Sequence, residues 1–112
     1  MNGVDLVKAE LEGYFRLVGE LSFDTVPNLV ERGEELFDGS PVLCIDLSGV
    51  DRADSAGLAL LIEWTRSARE EGKQIRFVNI PAQMRDIARV SGLDNVLPFS
   101  REDFSKASRS AG

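Results

Sequence analysis

The stretch Asp46-Leu47-Ser48-Gly49-Val50-Asp51-Arg52-Ala53-Asp54-Ser55-Ala56-Gly57-Leu58 lies between two segments of different hydrophobic period. Before it, Val42 to Leu47 is a nearly continuous apolar run bounded by turn residues, the pattern of a strand covered on both faces. Ser48 to Ser55 is polar and predicts a loop. From Ala56 to about Glu71 apolar residues recur at helical spacing, and Gly72 stops the run. Ser55 therefore falls at a helix N-cap, with the free N–H groups of Ala56, Gly57 and Leu58 just beyond it. A helix N-terminus carries partial positive charge and attracts anions, phosphate included. Gly57, with no side chain, would let another surface approach closely.

Upstream, Val7, Ala9 and Leu11 alternate with Lys8, Glu10 and Glu12, which predicts a half-buried strand with the apolar set inward. Gly13 breaks it, and Tyr14 to Val18 is rich in strand formers, so the pair reads as an antiparallel hairpin. Asp24 or Thr25 can cap a first helix, with Pro27 in its first turn and a core stripe of Val26, Leu29, Val30, Leu36 and Phe37. Downstream, Gln74 to Ile80 predicts a strand. Pro81 opens a third helix with Met84, Ile87 and Ala88 inward, and Gly92 suits a left-handed C-cap with Leu93 packing back. Val96-Leu97 predicts a short last strand. The order β-β-α-β-α-β-α-(β) implies an α/β fold: a mixed sheet of four or five strands with the helices mainly on one face. Residues 1–104 form one domain, and 105–112 read as a flexible C-terminal tail.

Asp46-Leu47-Ser48-Gly49-Val50 followed by Asp54-Ser55-Ala56-Gly57-Leu58 is similar to the signature of STAS domains, the sulfate-transporter and anti-sigma-factor-antagonist module. The resemblance runs from about Val7 to Pro98, and takes in Gly19-Glu20-Leu21-Ser22-Phe23 and Ser91-Gly92-Leu93. It implies the STAS-like sheet and a protein that works by binding a partner. In anti-sigma-factor antagonists the motif serine, matched by Ser55, is phosphorylated by a partner kinase. The run Ser55-Ala56-Gly57-Leu58-Ala59-Leu60-Leu61 with Gly72-Lys73 looks closer to the stand-alone STAS subunits of Mla-type phospholipid ABC transporters. There the motif position is often threonine; serine keeps the hydroxyl. The resemblance implies an accessory subunit that binds and stabilises or regulates the cytoplasmic ATPase. The alternative is an antagonist bound to an anti-sigma serine kinase and switched by phosphate on Ser55.

Composition narrows the chemistry. With 112 residues the chain fits one domain, since domains most often hold about 100–150 residues. The net charge of −6 opposes nucleic acid and anionic lipid, both of which need clustered Lys and Arg. There is no histidine, the commonest general base and metal ligand. No nucleotide loop or nucleophile elbow is present, and Asp46, Asp51 and Asp54 lack an ordered ligand spacing. The expectation is a protein without enzyme activity, cofactor or metal. Cys44, the one cysteine, lies in an apolar run and reads as a buried, inert thiol. No apolar run approaches the roughly 20 residues of a membrane helix, and residues 1–5 do not read as a signal peptide. The expected location is cytoplasmic, held at the inner membrane through the partner if the transporter reading holds.

The second helix offers a further candidate surface. Leu58, Leu61, Ile62, Thr65 and Ala68 form its core stripe. At 100° per residue, Leu60 and Trp64 fall off that stripe, with Ala56 one turn before Leu60. Tryptophan is a favoured interface anchor. The expected partner interface is thus Asp54, Ala56, Gly57, Leu60 and Trp64, with Ser55 as the contact or phosphorylation residue; the alternative is that Ser55 only caps the helix and Trp64 only covers the core margin.

Overall fold

A computed structural model describes residues 4–100. Among these the chain forms β1 (Val4–Lys8), β2 (Tyr14–Leu21), α1 (Val26–Phe37), β3 (Val42–Ala53), α2 (Ser55–Glu70), β4 (Gln74–Val78) and α3 (Ala82–Val90). The strands form one sheet in the order β1-β2-β3-β4, with β1 antiparallel to β2 and the other pairs parallel. The expected mixed α/β sheet is what the chain forms. The place of a fifth strand is taken by a single parallel bridge, Phe77 to Phe99, and not by Val96-Leu97. The tail, 105–112, lies outside the described residues.

The helices cover one face. Leu6, Phe15, Leu17, Leu43, Ile45, Leu47 and Phe77 point into that core, where they meet Leu29, Phe37, Leu58, Leu61, Met84 and Ala88. The other face is bare: Val42 is exposed, and Cys44 and Asp46 are half-buried. So β3 is not covered on both faces, and Cys44 is not fully buried. An apolar residue on the open side of a four-stranded sheet is shielded only by its neighbours. The hairpin also differs from expectation. β1 starts earlier and puts Leu6 inward, leaving Val7 and Leu11 exposed. A one-residue change of register moves every side chain to the opposite face.

Ser48 to Ala53, expected as a loop, extends β3. Arg16 pairs with Asp46 but Val18 with Gly49, and Gly19 pairs with Val50 but Glu20 with Arg52. Each shift inserts one extra residue in β3, a bulge. Inward residues then recur every third position, Leu47, Val50 and Ala53, which hides the period-two signature of a strand. Both α2 and α3 end as the glycines require. Gly72 and Gly92 take φ of 72° and 74°, and the next N–H groups reach back, Lys73 to Ala68 and Leu93 to Ala88, each at 2.8 Å.

Candidate functional site

The three junctions at the C-terminal ends of β2, β3 and β4 meet at one end of the sheet. The register Leu21–Ala53 sets the β2–α1 turn beside the β3–α2 junction, and the Asp54 N–H donates to the Leu21 carbonyl at 3.2 Å. From the third junction, the Gln83 side-chain oxygen accepts from the Ala53 N–H at 3.2 Å. Lower on the bare face, Asp46 accepts from the Ser48 N–H at 2.9 Å and from the Asn79 amide at 3.0 Å. Partial burial pushes the Asp46 carboxyl up, but those hydrogen bonds, one from the Ser48 hydroxyl and the nearby Arg16 charge outweigh it, so the group sits below its ordinary value.

Asp54, not Ser55, caps α2. Its carboxylate accepts from the Ala56 N–H at 2.8 Å, and its backbone is extended as an N-cap requires. Ser55 is the first helical residue. It is exposed, which leaves its hydroxyl open to the surroundings at the positive end of the helix. The sequence reading placed the cap at Ser55; the aspartate takes the role because β3 runs on through Ala53 and leaves a single extended residue before the helix.

The expected apolar surface on α2 is not a surface. Leu60 is 0% exposed and Trp64 2% exposed, with Ala56 at 3%. α2 is the middle helix, so it is buried on its sheet side and against a helix on each flank. Trp64 packs edge-on against Phe37 of α1, ring centroids 5.2 Å apart. Gly33 makes room: a Cβ there would lie 2.4 Å from Trp64 Nε1. Leu60 lies one turn before Trp64 on the same face. A single core stripe was the wrong template for a helix flanked on both sides. Gly57 likewise serves packing, since a Cβ would come within 3.1 Å of Leu21. Asp54 and Ser55 alone of the candidate residues reach solvent.

Sequence reasoning gave no role to Phe23. It sits in the β2–α1 turn, 74% exposed. The turn is braced: Thr25 Oγ1 accepts from the Ser22 N–H at 2.9 Å and donates to the Glu20 carbonyl at 2.9 Å. Its signal was the presence of an aromatic between Ser22 and Asp24, where a turn needs none. Asp24, Asp51, Arg52 and Asp54 are also exposed around this end. Among the described residues no three His, Cys, Asp or Glu side chains gather as a metal site.

Comparison with known proteins fixes the family. The family model described as "Mlab, STAS domain" matches residues 6–98. The chain belongs to the STAS family. Within it, the intermembrane phospholipid transport system binding protein MlaB of Escherichia coli K12 is 36% identical over 83 residues, 73% of this chain and 84% of that protein. In the ATP-bound MlaFEDB complex of Acinetobacter, a chain superposes on this STAS domain with TM-score 0.69 and 22% identity, covering 84% of this chain and 100% of that one. An anti-sigma factor antagonist from Mycobacterium paratuberculosis gives TM-score 0.67 at 25% identity, over 96% of both chains. The STAS fold thus serves both kinds of relative.

Proposed function

We propose that this chain is the STAS accessory subunit of an Mla-type phospholipid ABC transporter. It has no catalytic site of its own. It docks on the cytoplasmic ATPase through the end of the sheet that carries Asp54 and Ser55, and so sits at the inner membrane through its partner. The observation that supports this reading most is the 36% identity to a phospholipid transport binding protein across most of both chains. Among the described residues no helix is long and apolar enough to cross a membrane, in keeping with a subunit that reaches the membrane by way of others.

Binding one conformation of the ATPase in preference to another shifts its population toward that state. A rigid end suits this task. Asp54 makes three hydrogen bonds to backbone groups, with Leu21, Ala56 and Gly57, and fixes the first turn of α2, so docking costs little ordering entropy. The test is copurification: a tagged chain recovered from its own cells should bring down an ABC-type ATPase. Recovery of a serine kinase with no ATPase would replace this reading with the anti-sigma antagonist. That second reading draws on the exposure of Ser55, which leaves its hydroxyl within reach of a kinase.

A further inference from the structure

We infer that Phe23 is the apolar anchor of the docking surface, inserting into a pocket on the ATPase whose rim carries lysine or arginine; this rests on the function proposed above. A phenylalanine 74% exposed is costly to keep in water. Here a hydrogen-bonded turn keeps it there. Thr25 Oγ1 ties both the Ser22 N–H and the Glu20 carbonyl, and Val26 N–H donates to the Ser22 carbonyl at 3.0 Å. The side chain therefore cannot fold back by rearranging the turn without breaking several bonds. Rigid aromatics of this kind lose little entropy on binding and are enriched among interface residues that dominate affinity.

The placement is specific. The Leu21–Ala53 register and the Asp54-to-Leu21 hydrogen bond put the Phe23 turn beside Asp54 and Ser55. Asp24 follows it in the chain, Asp54 is tied to Leu21 two residues before it, and both are exposed, as are Asp51 and Arg52 at the end of β3. Charges on the rim of an interface steer encounter and select the partner's sign. An apolar projection with acids on its own turn and at the neighbouring junction fits a cationic-rimmed pocket. It does not fit anionic lipid, which those carboxylates would repel.

The experiment measures affinity and association rate of the full chain for its purified ATPase, at low and high salt, with melting temperature for each variant. Phe23→Ser should weaken binding at least about ten-fold with the melting temperature unchanged, while Phe23→Leu stays within about three-fold. Asp24→Lys should slow association and flatten its salt dependence. A photo-crosslinking phenylalanine analogue at position 23 should label the ATPase, which keeps the test open should Phe23→Ser fold poorly. If Phe23→Ser binds as wild type while Ser55→Asp does not bind, the anchor is overturned and the proposed docking end stands. If wild type does not bind the ATPase, both fall.

Discussion

Asp54 and Ser55 divide two roles that the sequence left joined. Because the Asp54 carboxylate takes the Ala56 N–H, Asp54→Ala should cost about 0.5–2 kcal/mol of stability, whereas Ser55→Ala should be nearly neutral. Ser55→Asp adds a negative charge in the first turn of α2, which the helix favours, so it should fold as well as wild type. If the docking reading holds, Ser55→Asp is nonetheless the worse variant for partner binding, since a new carboxylate would be buried without a counter-charge. Thermal melts and affinities of the three variants check this; equal binding by Ser55→Asp and Ser55→Ala would remove Ser55 from the interface. Asp46 makes a pH prediction. Its folded value lies below the unfolded one, so its stabilisation is present above the unfolded value, about 3.9, and is lost as pH falls through the folded value. Asp46→Asn should flatten the stability profile below about pH 4, as denaturant titrations at several pH values would show.

At the level of elements, α1, α2 and α3 were legible because each carries a helical period; β4 was legible too, but it ends at Val78, two residues short of the expected Ile80. Gly72 and Gly92 both turned out to be left-handed caps. β3 beyond Leu47 was not legible, because two bulges change the inward spacing from two to three. The face of α2 was misread for another reason: helical periodicity shows which residues share a face, but only the packing shows how many faces are covered. Leu60 and Trp64 belong to the core, so their substitution should unfold the domain and not merely weaken docking. Leu60→Ala should cost about 2–5 kcal/mol and Trp64→Ala about 3–5 kcal/mol, read by chemical denaturation. Gly33→Ala should also destabilise, by about 1–3 kcal/mol, because the new methyl group collides with Trp64. A Trp64→Ala protein with wild-type stability would show that the flanked-helix packing is incorrect. Phe23 was given no role of its own because periodicity marks buried residues and is blind to an aromatic held outward by a turn.

Across the whole molecule, the packed core and the exposed strand–helix junctions are kept apart. One face of the sheet is filled by helices, and the three strand–helix junctions gather at one end, where exposed acids, Ser55 and Phe23 stand on hydrogen-bonded backbone. The STAS family is established by the match over residues 6–98. The family serves transporters and sigma-factor switches alike, so the fold does not choose the partner. The most direct test is to mix the purified chain with the Mla-type ATPase of its own cell at micromolar concentration and measure mass by light scattering. The proposed function predicts a stable complex that contains both proteins and is weakened by Ser55→Asp. Separate elution of the two, together with a stable complex between this chain and a serine kinase, would contradict it.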